Sequence, residues 1–226
     1  MFDDLFEPDA FDFQTDAYSD FWVDQAVGKE NDDETRATVS PRAFRMRARR
    51  RMQRIKQRER LQDLIKEPPR PGEELHIVGG NKFQFYTWIP VLLDWIGGAD
   101  EFYCATWTAN AASARDFFEL WDAGRIRKTA GFMFGTYFKR REPVVYQRYA
   151  EELHRRGGWI KCFETHAKVM LLNNESRGDY LTVEGSGNLT HNPRFEQYVV
   201  INDRALWDFH RAWALEVKEL KKKLPW

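Results

Sequence analysis

The chain of 226 residues has only two cysteines, Cys104 and Cys162, and it lacks any run of about 18 apolar residues. A membrane span needs such a run, so we expect no insertion into a membrane. The sequence begins Met-Phe-Asp-Asp, which is not a basic-then-apolar leader, and we therefore expect no secretion. Each cysteine lies in a short aromatic or aliphatic segment typical of a buried strand. This favours reduced, buried thiols over a disulfide or a metal site, and with it a cytoplasmic location.

The sequence also has no net charge, because 35 lysines and arginines balance 35 aspartates and glutamates. The charges are, however, distributed unevenly along the chain. Residues 1–36 carry 12 acidic and 2 basic residues, whereas residues 37–70 carry 12 basic and 3 acidic ones. Residues 71–226 are close to neutral, with 21 basic and 20 acidic residues. Such asymmetry indicates segments that bind a partner, so neutrality does not exclude nucleic acid.

Residues 1–36 interleave acidic side chains with aromatic ones and follow no helical or alternating period. A segment of this composition cannot bury enough surface to fold alone, and it predicts a disordered acidic tail. Three roles stay open for the tail. It can dock on a basic or apolar groove of a protein partner, it can act only as a solvating segment, or it can fold back on the basic residues that follow.

Residues 41–66 contain good helix formers without glycine or internal proline, and Pro68-Pro69 ends the segment. The predicted helix has a narrow apolar stripe on an otherwise cationic surface. Such a surface can lie along phosphates and release their counterions. It can equally pack against the folded domain or a dimer partner. The arginines expected to contact nucleic acid are Arg45, Arg47, Arg49, Arg50, Arg51 and Arg54.

Strand and helix patterns alternate after the Pro- and Gly-rich linker at 68–72. We predict strands at 76–80, 101–108, 129–134, 159–164, 168–172, 180–184 and 196–201. We predict helices at 83–96, 111–122 and 143–156, and an amphipathic one after residue 206. This alternation indicates an α/β fold, a mixed sheet flanked by helices. The predicted organisation is a tail at 1–36, an Arg-rich helix and linker at 37–70, and an α/β domain at 71–226.

Two short segments carry groups suited to phosphate chemistry. His166 and Lys168 project to the same side if Lys168 opens a strand, because side chains alternate along a strand. The turn at 185–188, Gly-Ser-Gly-Asn, follows the next strand and supplies a hydroxyl, an amide and main-chain N–H donors. Lysine, amide and N–H donors that converge can hold an oxyanion or a phosphate. The histidine is then the group able to act as nucleophile or acid/base near neutral pH.

His166-x-Lys168 followed by Gly185-Ser186-x-Asn188 resembles the HKD motif and downstream GSxN of the phospholipase D superfamily. The resemblance implies a phospholipase D-like fold in which His166 attacks a phosphodiester phosphorus to form a phosphohistidine. It also implies that Lys168 and Asn188 hold the non-bridging oxygens, that Ser186 assists, and that Glu196 orients His166. No metal or other cofactor is implied.

The chain departs from the family pattern in two ways. Asn173 stands where the motif has an aspartate, and Asp179 is the nearest carboxylate beyond it. The family combines two motifs in one active site, whereas only His166 here is followed by a lysine two places on. The resemblance therefore implies a homodimer with a composite site across a two-fold axis.

The expected function is a metal-independent nuclease that cleaves DNA or RNA, with DNA favoured, and whose active site is completed by dimerisation. The alternative is a catalytically weak or inactive phospholipase D-like protein that binds nucleic acid or acts as a scaffold. A lipid-headgroup hydrolase ranks third, since membrane-binding features are lacking. Trp88, Trp95, Trp107 and Trp121 are expected in the core rather than in a base-stacking platform.

Overall fold

In the computed structural model, which describes residues 52–79, 82–190 and 195–220, seven strands form a single sheet. The strands are β1 (Glu74–Val78), β2 (Ala99–Thr106), β3 (Ile126–Gly135), β4 (Trp159–Phe163), β5 (Val169–Asn174), β6 (Asp179–Gly185) and β7 (Gln197–Asn202). Their order across the sheet is β1-β7-β6-β5-β2-β3-β4. The pairs β2–β3 and β3–β4 are parallel and the other pairs are antiparallel, so the sheet is mixed, as predicted.

Helices cover both faces of this sheet. They are α1 (described over residues 52–64), α2 (Trp88–Ile96), α3 (Ala111–Asp122), α4 (Thr136–Arg141), α5 (Pro143–Arg155) and α6 (Arg204–Glu219). Short 3₁₀ turns lie at Phe85–Thr87 and Glu175–Arg177. No helix among these described residues is long and apolar enough to cross a membrane.

Local chemistry explains where several helices begin and end. The Asn110 side chain accepts a hydrogen bond from the Ser113 N–H, and the Ser113 hydroxyl lies 3.3 Å from the Asn110 N–H, which makes a capping box for α3. The Asp203 side chain caps α6 through the Leu206 N–H. Gly97 ends α2 in the left-handed conformation, with φ of 70°, where a side chain would be strained.

The core divides between the two faces of the sheet. Phe102 and Cys104 of β2 enter a large cluster with residues of α2, α3 and α5, whereas Tyr103 and Ala105 enter a smaller cluster with α6. Successive residues of β2 therefore point to opposite buried faces. A sheet covered on both faces is the α/β architecture that the alternating sequence pattern predicts.

Helix α1 packs on the large cluster. Leu61 and Ile65 are buried there, 0% and 5% exposed. The Arg54 guanidinium pairs with Asp116 of α3 at 2.7 Å, and Arg58 pairs with Asp94 of α2. The described part of the basic segment thus contacts the domain through Leu61, Ile65 and two of its arginines, whereas its other apolar side chains, Met52, Ile55 and Leu64, are exposed.

The predicted elements differ from the observed ones mainly at their ends. The helix predicted at 83–96 becomes a 3₁₀ turn followed by α2 from Trp88, and β2 begins at Ala99 rather than at 101. Helix α4 is missing from the prediction because its six residues are too few for a helical period to show. The predicted acidic tail and Arg45, Arg47, Arg49, Arg50 and Arg51 lie outside the described residues.

Candidate active site

The strand order brings several connecting segments to one end of the sheet. Ala105 near the end of β2 pairs with Val169 at the start of β5, and Val169 pairs with Glu184 near the end of β6. Gly185 in turn pairs with Tyr198 of β7. The residues that follow β2 and β6 and those that precede β5 and β7 therefore meet at this end. These are the segments that carry His166, Lys168 and the Gly-Ser-Gly-Asn turn.

His166 and Lys168 contact each other directly. The Lys168 ammonium lies 3.1 Å from Nδ1 of His166 and 2.8 Å from the carbonyl oxygen of the same residue. Strand β5 begins one residue later, at Val169, so the contact does not arise from alternation along a strand as we expected. It arises because the lysine side chain folds back over the loop that precedes β5.

The two groups differ in their exposure to solvent. Lys168 is 8% exposed, whereas His166 is exposed. Burial lowers the pKa of Lys168, and the nearby Glu196 carboxylate opposes this by favouring the charged form. Because an ammonium can only donate, Nδ1 of His166 is the acceptor, and the neutral ring then carries its proton on Nε2.

The turn at 185–188 is held against β5 and β7. The Gly185 N–H donates to the carbonyl oxygen of Lys168 at 3.1 Å. The Ser186 hydroxyl donates to the Glu196 carboxylate and accepts from the Gln197 N–H. A Cβ on Gly185 would lie 2.6 Å from the Tyr198 ring, so only glycine fits at this point of the turn. In the described contacts, Ser186 thus bonds to Glu196, and Lys168 bonds to Nδ1 of His166.

Asn188 is anchored to the end of β2. Its Oδ1 accepts hydrogen bonds from the Thr106 hydroxyl and the Trp107 main-chain N–H, each at 3.1 Å. A main-chain N–H can only donate, so the carboxamide oxygen faces β2 and its NH₂ group occupies the other side of the side chain. The Oδ1 atom of Asn188 therefore supports the fold, and its NH₂ group can donate to a ligand.

Asn173, which replaces the motif aspartate, has a structural contact of its own. Its Oδ1 accepts from the Glu101 N–H at 3.0 Å, and the side chain is 4% exposed. This bond ties β5 to β2. Asp179, the nearest carboxylate, pairs instead with Arg177 at 3.0 Å. An amide oxygen is a sufficient acceptor for the main-chain N–H, so the substitution keeps this link between the strands.

A cavity of about 410 Å³ opens beside His166 and Lys168. Glu184 lines it as well, and Oε1 of Glu184 lies 2.8 Å from Nε2 of His210 on α6. Sequence reasoning missed this pair because the two residues stand 26 positions apart and neither belongs to a motif. The remaining lining residues are Ala167, Val169, Gly185, Gln197, Tyr198 and Val199.

Two aromatic side chains border the histidine. The Trp107 ring centroid lies 5.8 Å from that of His166, and 4.8 Å from that of Tyr137, with the Trp107 and Tyr137 planes 9° apart. Trp107 is half-buried and lies at the site, whereas we expected it in the core. Trp88 is fully buried, in line with the expectation, and Trp95 and Trp121 pack against the large cluster.

Arg54 is the member of the predicted arginine set that falls within the described residues, and its guanidinium pairs with Asp116. This ion pair lies on the face where α1 meets α3. The two thiols are free, with Cys104 buried and Cys162 half-buried. Burial raises the pKa of both thiols, which keeps them protonated and poorly reactive.

The sequence matches no protein-family model and no curated protein, but the fold matches solved structures. It is similar to NucT from Helicobacter pylori, with a TM-score of 0.50 and 11% identity, over 65% of this chain and 96% of NucT. It is also similar to Nuc from Salmonella typhimurium, a phospholipase D family member, with a TM-score of 0.45 and 15% identity, over 65% and 95% of the two chains. TrmBL2, an archaeal chromatin protein, has a TM-score of 0.44 and 13% identity, over 81% and 69%. NucT is a nuclease of the phospholipase D superfamily, and the likeness to it shows that this domain has the phospholipase D superfamily fold.

Proposed function

We propose that the chain is a phosphodiesterase that cleaves nucleic acid, with His166 as nucleophile. The contact between the Lys168 ammonium and Nδ1 of His166, two residues that line a cavity, is the observation that supports this most directly. It supports the proposal because two groups in direct contact can both reach one bound phosphate. Nucleic acid is the phosphodiester that we assign, because NucT, a nuclease, shares the fold and an Arg-rich segment precedes the domain.

The proposed first step begins when a phosphate enters between the two side chains. Lys168 then donates to a non-bridging oxygen instead of Nδ1, and the NH₂ group of Asn188 donates to another oxygen. Nδ1 takes the ring proton, which leaves the lone pair on Nε2 free to attack phosphorus. Glu196, which lies near enough to Lys168 to affect its pKa, is the carboxylate that we assign to stabilise this tautomer.

The attack exchanges one bond to phosphorus for another, and water then reverses the exchange. The Nε2–P bond forms as the ester P–O bond breaks, and the leaving oxygen takes a proton from a general acid. Water later attacks the phosphohistidine, breaks the N–P bond and returns the histidine. The chain has one His-x-Lys segment, so we assign the general acid to His166 of a second copy in a homodimer.

Cleavage in the presence of EDTA tests this proposal. We expect the wild-type chain to cleave DNA or RNA in EDTA, and His166→Ala to lose the activity by a factor of at least about 10³. His154→Ala is the matched control, since His154 is also exposed but lies at the end of α5. Activity that persists in His166→Ala contradicts the proposed mechanism.

A non-catalytic phosphate-binding protein is the second candidate, and two features of the sequence favour it. Asn173 stands where the motif has an aspartate, and the chain has one His-x-Lys segment where the family combines two. Such a site can bind a phosphate through Lys168 without turning it over. Wild-type protein that binds nucleic acid with a steep salt dependence, and cleaves none of the DNA and RNA tested, supports this candidate over the first.

A further inference from the structure

Trp107 and Tyr137 form a stacked aromatic pair next to His166. The two rings stack 4.8 Å apart, and neither residue is buried. Trp107 is fixed at its main chain, because its N–H donates to the Asn188 side chain at 3.1 Å. A Cβ on Gly135 would lie 2.5 Å from Cδ1 of Trp107, so the indole occupies space that this glycine leaves open. Its position is therefore coupled to the turn that carries Asn188.

Arg141 extends this pair with a positive charge. Its guanidinium donates to the Tyr137 hydroxyl and its Cζ lies 5.6 Å from the centre of the Tyr137 ring. Arg141 is exposed, as are Lys139 and Arg140, which precede it in the last turn of α4. Starting from His166, the order of groups is thus indole, phenol and guanidinium.

We propose that Trp107, Tyr137 and Arg141, here called the stacking site, bind an unpaired base and the phosphate beside it. In this arrangement Arg141 moves from the Tyr137 hydroxyl to the phosphate, and the ring face that it leaves receives the base. The inference rests on the proposed function, because it places the stacking site next to the phosphate-binding position at His166. It makes single-stranded nucleic acid the preferred substrate.

The preference follows from the faces of the bases. In a duplex, each base is stacked on both sides and cannot lie on a protein ring without being unstacked first. A single strand exposes its bases, and aromatic side chains bind them without regard to sequence. Arginine adds contacts to phosphate and to the π face of a base. A site built from stacked rings and an arginine therefore discriminates by strandedness rather than by base identity.

Binding to three oligonucleotides tests the stacking site. The full chain with His166→Ala, which prevents cleavage, is titrated with single-stranded oligothymidylate, an abasic strand of the same length and a duplex of that length. We expect Tyr137→Leu to weaken binding of the oligothymidylate by about five- to a hundredfold, the range that one lost stacking contact gives. Binding of the abasic strand and of the duplex stays within twofold. Equal losses on all three ligands, or no loss on any, overturn the inference.

Two matched variants separate the ring from the charge. Tyr137→Phe keeps the ring and is expected to retain oligothymidylate binding, whereas Tyr137→Leu keeps a similar apolar bulk without a π face. Arg141→Ala is expected to lower the salt dependence of single-strand binding by about 0.7 in the log–log slope, the value for one phosphate contact. Arg155→Ala, at the exposed end of α5, is expected to leave the slope unchanged. The same slope in all of these chains contradicts the role of Arg141.

The assay measures binding alone, so its failure differs from a failure of the proposed function. A chain that cleaves nucleic acid in EDTA but binds oligothymidylate equally well with and without the Tyr137 ring supports the catalytic proposal and refutes the stacking site. A chain that shows the ring-dependent preference and cleaves nothing refutes the catalytic proposal and leaves the stacking site standing as a single-strand binding site.

Discussion

The Lys168 ammonium lies 3.1 Å from Nδ1 of His166, inside a site where the lysine is buried and the histidine is exposed. Before a phosphate binds, one side chain therefore supplies both the positive charge of the site and the donor that keeps the His166 ring proton on Nε2. Any change in the protonation of Lys168 alters both at once. This coupling makes the pH dependence of the site an informative measurement.

Burial lowers the pKa of Lys168, so we expect activity to fall at a lower pH than for an ordinary lysine. As pH rises through the lowered pKa, the ammonium loses its proton and can no longer hold a phosphate oxygen. The free energy of unfolding follows the opposite trend. Between the lowered pKa of Lys168 in the folded chain and its ordinary pKa in the unfolded chain, the unfolded state binds more protons, so the free energy of unfolding rises with pH.

The measurement is a pH–rate profile together with urea unfolding across the same alkaline range. Lys168→Arg is the control, because a guanidinium stays protonated there, and its remaining activity should show no alkaline fall from this group. An alkaline fall at the same pH in both chains would assign it to a group other than Lys168.

Glu196→Gln is expected to move the alkaline loss of cleavage activity to a still lower pH. The Glu196 carboxylate favours the charged form of Lys168, so its removal lowers the lysine pKa further. Glu164→Gln is the control, since Glu164 is exposed at the same end of the sheet and bonds to Thr136. A shift toward higher pH in Glu196→Gln would show that the carboxylate acts on a different group.

Asn188→Asp and Asn188→Ala should separate folding from catalysis. The aspartate keeps an oxygen for the Thr106 hydroxyl and the Trp107 N–H, but it loses the NH₂ donor and repels phosphate. We expect near wild-type stability with activity lowered by about 10²–10³. Alanine removes the acceptor as well and should cost about 1–3 kcal/mol of unfolding free energy. Thermal unfolding and cleavage assays on both variants check this, and equal stability of the two would contradict the anchoring role of Oδ1.

Arg54→Ala is expected to destabilise the chain through Asp116. Burial raises the pKa of Asp116, and the Arg54 charge opposes that shift. Without Arg54, the buried carboxylate is more costly, and because the pair is partly solvent-exposed we expect a loss of about 1–2 kcal/mol at neutral pH. The loss should shrink as pH falls through the raised pKa and Asp116 becomes protonated.

Chemical denaturation at neutral and at mildly acidic pH measures this difference. Arg60→Ala, an exposed arginine on the same helix, is the control for removing a charge from α1. An Arg54→Ala effect that matches the Arg60→Ala effect at both pH values would show that the ion pair with Asp116 does not hold α1 on the domain.

Much of the fold could be predicted because its information is local. Helix α3 has the bounds that its sequence period predicts, 111–122, since a capping box and an apolar face both lie within those residues. Strands appear as short aromatic and β-branched runs between turn residues, and their predicted positions differ from the observed ones by a few residues. The α/β class follows from their alternation with helices.

The candidate site could be predicted only in part, for the same reason. His166 and Lys168 are two residues apart, and the Gly-Ser-Gly-Asn turn forms one unit, so the sequence alone indicated phosphate chemistry at these positions. The partners that define each side chain came from elsewhere in the chain. Asn188 bonds to Thr106 and Trp107, more than 80 residues earlier, because β6, β5 and β2 are successive strands of the sheet.

Further contacts depend equally on how the elements pack. Trp107 meets Tyr137 only because β2 and β3 are parallel neighbours that end at the same edge, and Glu184 meets His210 only because α6 covers that face of the sheet. No period or motif in the sequence encodes such pairs, since each depends on the order and register of several strands. The sequence alone thus predicts phosphate chemistry at His166. The surroundings of His166, and the preference for single-stranded nucleic acid that we propose, depend on the tertiary fold.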